Sequence, residues 1–490
     1  MTTRARKPTW VLCTVMLGTV TVSLNNSALN PVIPVFMSTF DIGPLWASWV
    51  MTGFMLSMGI TMPITGFLGN KIGKRPLYLL GLAGFVTGST LGALADNMAL
   101  VVLARCVQGV AAGLMIPLSL PLIFEAYPRN ERGRVTGLWG TVVMLAPAVG
   151  PAVGGLLLEV FSWPVLFLMN IPVGVLGWMM GYYSLVSPPD ENTPRFDGLG
   201  FVLSAVGIGG LLMALSLLTG TVYSLLALLL GLSALLCMAF FIRHQLHCKY
   251  PLLNLHLFAE PAYRLSVIIV VVQSIGIFGS LLLLPLLMQN VLNFSVMNTA
   301  LVLVATAVMS SLFVSIGGKR LDARGPRGVV SVGLGLTAIA TLALGQLQSE
   351  VTLWVILGLT LVRGAGIGLS YMPVTTAGLN AIPEQLVSQG AAMNNILRRV
   401  SAATVIVVVS LFYEWRSFAL SSQGFSPQTS GLMAINELFT LIGLLLLATL
   451  PLALRLPNPR AEPVAEDPSS SLTTPQRNVG TKHTAQKVLP

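Results

Sequence analysis

The chain has 490 residues, 54% of them hydrophobic and only 9% charged, with a mean hydropathy of +0.82 and a formal charge of +10. A soluble protein of this length needs a polar surface that these residues cannot supply, so lipid replaces water around most of the chain. Apolar stretches recur to near the C-terminus, which excludes a single soluble core on one anchor and disfavours a soluble enzyme. The Lys and Arg fall mostly in short breaks between those stretches, which favours lipid attraction and topology control over nucleic-acid binding.

Fourteen candidate transmembrane helices follow one another, at 10–33, 46–69, 77–96, 100–121, 135–157, 164–186, 198–218, 222–242, 266–289, 298–317, 328–347, 351–373, 393–413 and 433–455. Each is long enough to cross a bilayer at about 1.5 Å per residue, and a helix satisfies its own backbone in lipid. The chain is therefore expected to be an all-α polytopic membrane protein. The basic run Arg4-Ala5-Arg6-Lys7 precedes an apolar run that outlasts a signal peptide and is followed by many like it, so a retained first helix is expected.

Span 1 carries Leu24-Asn25-Asn26-Ser27-Ala28-Leu29-Asn30-Pro31. Three amides in six residues are unusual in lipid; Asn25, Asn26 and Asn30 can hydrogen-bond across helices or meet a substrate. Asn25 cannot gain and lose a proton in a useful range. Span 2 runs into Gly66-Phe67-Leu68-Gly69-Asn70-Lys71-Ile72-Gly73-Lys74-Arg75. Its glycines allow a tight turn and close helix approach, and its basic residues can meet helix C-terminal carbonyls, acids or lipid phosphate. Gly66, Asn70, Gly73, Lys74 and Arg75 are therefore gating candidates.

In span 4, Arg105 is costly against lipid and is expected to face protein or an aqueous cavity. Gln108 shares its face, and Gly109 and Gly113 permit close packing. Glu125 closes this stretch and is one candidate proton carrier. Span 5 carries Gly137, Ala146, Gly150, Pro151, Gly154 and Gly155, expected to form a deformable interface that moves during transport.

The segment 250–264 is amphipathic and is expected to lie along the membrane interface. Gln273 and Gln289 in span 9 are further polar anchors. After span 10, Gly318-Lys319-Arg320-Leu321-Asp322-Ala323-Arg324-Gly325-Pro326-Arg327 echoes the spacing of 66–75. Gly318, Asp322, Gly325 and Arg327 thus join the gating candidates. Asp322 can pair with a base across a helix interface, whereas Asn70 cannot supply the matching charge, so the two halves are expected to latch with different strengths. Span 12 offers Arg363 among glycines, Arg398 and Arg399 are read as the basic entry to span 13, and span 14 carries Glu437, which with Glu125 and with Glu159 near the outer end of span 5 makes up the candidate proton carriers.

Basic residues recur in every second loop, which places both termini in the cytoplasm. The echoed loops imply two related halves, common in secondary transporters, with spans 7 and 8 inserted between them. The expected units are a tail 1–9, a six-helix bundle 10–186, two added helices 187–250, a second bundle 251–455 and a disordered tail 456–490. The four cysteines form no close metal-ligand pair and read as packing residues, and no nucleotide-binding loop is present, so neither metal nor cofactor is expected.

With these motifs in order, the chain resembles the fourteen-helix drug:proton antiporters of the major facilitator superfamily over about residues 10–455. Residues 66–75 look like that superfamily's loop signature with Asn70 in place of its usual Asp. Arg105, Gln108, Gly109 and Gly113 match its helix-4 pattern. Gly137 through Gly155 is similar to the antiporter helix-5 signature with Ala146 for a Gly, and Leu24 through Pro34 resembles the first-helix motif with Asn25 for its acid. Trp163, Phe167, Asn170, Pro172 and Gly174 match the start of the sixth helix, from which Pro164 and Val165 depart, and Phe196-Asp197-Gly198-Leu199-Gly200 looks like the entry to the seventh.

The resemblance implies the major facilitator fold, two six-helix bundles plus two additional central helices, in a bacterial cytoplasmic (inner) membrane. It implies no catalytic residues. The function it implies is export of amphipathic or cationic compounds in exchange for protons. Membrane lipids, a small amphipathic substrate and protons are the implied partners; a monomer is expected, and accessory export proteins are partner candidates. A dedicated exporter of a lipid, metabolite or siderophore and a non-transporting receptor or scaffold are the rivals.

Overall fold

The computed structural model describes residues 7–186, 195–218 and 224–457. Among them there is no strand, and fourteen helices are long and apolar enough to cross a membrane. They are α1 Pro8–Phe40, α2 Trp46–Lys71, α3 Lys74–Ala93, α4 Met98–Ala126, α5 Arg129–Val160, α6 Val165–Ser184 and α7 Gly198–Leu218. There follow α8 Leu225–His247, α9 Pro261–Val291, α10 Val296–Arg324, α11 Pro326–Leu344, α12 Leu353–Asn380, α13 Glu384–Ser421 and α14 Pro427–Leu454. The expected count holds. The expected N-terminal tail lies, as far as residue 6, outside the described residues, as does the C-terminal tail from residue 458.

Most spans overrun their expected bounds, because a helix continues past the lipid wherever its polar flanks find protein or water. α1 extends to Phe40 through a 3-10 turn at Asn30–Val32, where Pro31 removes a backbone donor. α10 runs on to Arg324, and α13 begins well before Arg398 and Arg399, so residues read as loop or entry charges are helical.

Helices 1 to 6 and 9 to 14 pack by one plan. In the first bundle α4 lies along α2 and α3, α1 against α5 and α6, and α3 against α6; in the second α12 lies along α10 and α11, α9 against α13 and α14, and α11 against α14. The glycines mark the equivalence. Gly109 and Gly113 abut Phe54 and Thr61, while Gly364 and Gly368 abut Thr306 and Phe313. The first half of each echoed loop is helical, and Gly73 (φ 92°) and Gly325 (φ 78°) break the chain at matching places in a conformation other side chains rarely adopt. α7 and α8 pair with each other, and α7 rests on α2.

Segment 250–264 is more deeply engaged than an interfacial helix. Leu252, Leu253 and Leu257 are buried, the Leu253 amide donates to Gln245 Oε1, and the Asn254 amide donates to Gln389 Oε1. It ties α8 to α13, while His256 stays exposed.

Candidate functional site

The bundles meet along two related seams, α5 with α10 and α2 with α13. The first is closed backbone against backbone. A side chain added at Gly137 would meet Val314 O at 2.9 Å and Ser315 Cα at 3.2 Å, and one at Gly318 would meet the Gly133 carbonyl. At its basic end the Asp322 carboxylate accepts from the Gly133 and Arg134 amides, at 2.7 and 2.6 Å. These are unpaired donors of the first turn of α5, whose own N-cap residue bonds none of them, so the carboxylate meets both free N–H groups and the positive end of the helix dipole. Sequence reasoning expected a basic side chain as Asp322's partner; the partner is backbone, because the glycine seam brings the helix end within reach.

Arg132 adds a second tie. It is almost wholly buried, donates to Phe124 O within its own bundle and to Asn380 Oδ1 and Glu384 Oε1 of the other, and stacks on Phe124. Thr136 with Thr376, and Thr141 with Ser311 and Ser315, continue the line. Beyond Thr141 the seam ends. From Met144 onward only Ala146, Gly150 and Gly154 of α5 are buried, all on its α1 side, so its face toward the second bundle is open. The basic ends of the bundles are therefore shut and the opposite ends apart.

The second seam is looser. Gly66 faces Gln389, mostly its flexible side chain, and Asn70 makes no bond to the start of α13. There Asn70 lines a hollow of about 490 Å³ with Lys74, Phe124, Glu125, Arg132 and Glu384.

The predicted site residues divide accordingly. Arg105, wholly buried, donates to Val50 O, Asn25 Oδ1, Gln108 Oε1 and Asn26 Oδ1 at 2.8 to 3.0 Å and lies over the Phe54 ring. Gln108 passes on a bond to Ser89, and Asn25 donates to Leu166 O. Asn25 is fully buried with both ends of its amide in use, so it holds Arg105 instead of offering itself to a ligand. Asn26 is half-buried beside it, and Asn30 is exposed at the far end. Gln273 donates to Ser370 and leaves its oxygen unpaired, while Gln289 is half-buried near the end of α9.

Glu125 is paired with Lys74, and Glu437 takes a two-pronged pair from Arg416 at 2.7 and 2.8 Å. Arg75 donates to Tyr182 O and Arg327 to Leu456 O. Gly150 and Gly154 pack against Ser27 and Ala28 of α1, inside one bundle, and Gly155 faces open space. The helix-5 glycines that meet the other bundle are Gly133, Gly137 and Gly140; a stripe of small residues in sequence does not say which neighbour it faces. Arg363, read beside Arg105 as a second such charge, stands where Gln108 does, with Thr360 in Arg105's place, and donates to Gly276 O.

Sequence reasoning missed Arg132, Glu384, Gln389 and Gly133. The pair Gly133 and Gly137, four residues apart and level with Gly318, was the available signal. It also missed that Asp197, His244 and Cys248 come together. Asp197 accepts from the Gly200 amide, His244 and Gln245 at 2.7 to 2.8 Å; burial alone would raise its pKa, but these bonds outweigh it and hold the carboxyl below its usual range. Its oxygens are committed to capping α7 and tying it to α8, so the trio reads as a structural knot with little left for a metal.

The Major Facilitator Superfamily model matches residues 15–406. The lincomycin resistance protein LmrB of Listeria innocua is 30% identical over 82% of this chain and 86% of its own. The riboflavin transporter RibZ of Clostridioides difficile is 28% identical over 83% of this chain and 89% of its own. The crystal structure of the human organic anion transporter MFSD10 (TETRAN) aligns over 91% of this chain and 99% of its own with a TM-score of 0.66 at 15% identity, a likeness of fold alone.

Proposed function

The chain belongs to the Major Facilitator Superfamily, a family of transporters and not of enzymes, and from that premise we propose that it exports amphipathic organic compounds, drugs among them, by alternating access. The observation that carries this reading is the pair of matched bundles locked at the basic end by Asp322 and Arg132 and parted beyond Thr141. Release of those ties, with closure of the opposite ends, moves a compound across without opening a continuous pore.

In this proposal the basic end is cytoplasmic, the membrane is a bacterial inner membrane, and the conformation described faces outward. The proposed units are the bundles 10–186 and 251–455 with the added helices 187–250 between them. The resemblance to LmrB supports drug export; that to the riboflavin transporter RibZ supports a transporter dedicated to one metabolite, the direction of transport aside. Proton exchange through Glu125 or Glu437 would begin by breaking an ion pair at one or the other end of the bundles.

Purified protein in liposomes, presented with a panel of unrelated amphiphiles under an imposed pH gradient, tests this reading. Flux of several chemical classes supports drug efflux; one saturable substrate supports the dedicated exporter; binding without flux removes both. Substrate-driven proton movement that is unchanged in Glu437→Gln takes that acid out of coupling.

A further inference from the structure

Arg398 and Arg399 read in sequence as charges at the mouth of span 13. The structure puts them eleven residues inside the α-helix that starts at Val387, about 16 Å along its axis. Their height along the bundles follows from the repeat. Gly318 meets Gly133 and Gly66 meets Gln389, so positions 133 and 389 correspond. Equal steps outward bring Arg398 and Arg399 level with Val142 and Val143, just past Thr141, the last residue of α5 that bonds to the other bundle. They stand at the height where the α5–α10 seam ends, and Arg398 faces Tyr371 and Thr375 of α12.

Neither has a charge partner. The Arg398 guanidinium lies 3.8 Å from the Tyr371 ring centre, with the Tyr371 hydroxyl also acting on it, and donates to Thr375; its Nε is buried with no acceptor. Among the described residues none accepts a hydrogen bond from Arg399, and the Tyr371 hydroxyl acts on it electrostatically. Arg105 and Arg363 add two more interior cations, held by amides and a carbonyl. The described carboxylates of the spans lie elsewhere. Glu125 with Lys74, Asp322 on the end of α5, Glu131, and Glu384 with Arg132 are at the basic end, while Glu159, Glu414 and Glu437 are at the opposite end. Four guanidiniums thus face no fixed anion in a low-dielectric interior, where an uncompensated charge is costly and a two-pronged anion matches the guanidinium fork.

We infer that the central opening takes organic anions, amphiphiles with a carboxylate or sulfonate, that Arg398 and Arg399 anchor the acid group, and that the substrate's own charge couples export to the membrane potential. The inference rests on the export reading above and narrows its substrate class. An anion leaving an inside-negative compartment moves downhill, by about 50-fold in equilibrium ratio per charge at 100 mV, so no proton need return. Asn25 then has a physical sense. An acid there would neutralise Arg105 and cancel part of the field that draws the substrate.

Three dansyl probes with one aromatic body test it: dansylglycine (anionic), dansylamide (neutral) and dansylcadaverine (cationic). In fluorescence titrations of the full-length protein in nanodiscs, dansylglycine should bind at least 10-fold tighter than the other two. Arg398→Gln with Arg399→Gln should collapse that preference toward one, and Arg398→Lys with Arg399→Lys should restore most of it. In proteoliposomes a potassium diffusion potential, negative on the side the probe leaves, should speed dansylglycine efflux several-fold without substrate-driven proton movement. Equal binding of the three probes, preference for the cation, or a preference untouched by the double Gln variant overturns the inference whatever the flux. Flux that ignores the potential or requires a pH gradient overturns the coupling part. Anion-selective binding without any flux supports the anion site and sinks the export reading instead.

Discussion

The α5–α10 seam and the α2–α13 seam occupy equivalent places in the two halves, yet they close by different means. In the first, Gly133, Gly137 and Gly318 bring backbones together, and Asp322 takes two amides at the start of α5. In the second, Gly66 meets a flexible Gln389, and Asn70 reaches none of the amides that open α13 and borders a hollow. One substitution of charge, Asp322 against Asn70, accompanies the whole difference. A neutral amide does not draw a helix end as a carboxylate does. The tight seam is suited to act as the latch and the loose one as the side that yields first.

The largest way to break this comparison is to make the tight seam like the loose one. Asp322→Asn should lose about 2 kcal/mol of charge-assisted bonding, which moves the equilibrium roughly 30-fold toward the state open at the basic end. Distances between labels on the exposed Lys71 and Lys319, measured by electron paramagnetic resonance, should lengthen in most molecules. Unchanged distances would show that Asp322 is not the latch.

Wedging comes next. Gly137→Leu should hold the seam ajar, because the added atoms meet backbone, and reduce transport at least 10-fold. Gly66→Ala should cost no more than about 2-fold, because Gln389 can swing aside. Equal losses would mean that the seams are equally rigid.

A smaller effect runs the other way. Asn70→Asp should add a helix-end attraction of about 0.3 to 1 kcal/mol, favour the closed basic end by up to about 5-fold and slow turnover. The same label distances read it, and no shift would show that Asn70 does not face the start of α13.

The smallest expected effect lies away from both seams. Asp197 has its pKa held low in the folded protein, so its stabilising bonds are complete above the ordinary carboxylate value of about 3.9 and are lost only as pH falls through the depressed value. The gap in melting temperature between wild type and Asp197→Asn should therefore close as pH falls below about 3.9, and a gap that persists in acid would contradict the assignment.

Much of this architecture was legible in the chain. Apolar runs revealed the fourteen spans, because lipid demands them, and the echo of 66–75 in 318–327 revealed two halves and the inequality of Asn70 and Asp322. The sites were less legible. Asn25 looked like a ligand contact and is a buried support of Arg105; Gly150 and Gly154 looked like the moving interface and pack inside one bundle; Arg398 and Arg399 looked like charges at a helix entry and lie eleven residues inside the helix. In each case residue type predicted a need, for a partner, a close neighbour or a polar surrounding, and left the identity of the partner open.

Composition and periodicity alone therefore determine solvent, span count and repeat, since these depend on the length and polarity of contiguous segments. Which helix faces which, and so whether a guanidinium ends against an amide, a carboxylate or an open cavity, is decided only when segments a hundred or more residues apart pack together. Arg105 and Asn25 are 80 residues apart, and Asp322 and Gly133 are 189 apart. No local pattern carries those distances, and they separate the cations held by several acceptors of the fold from those held by few.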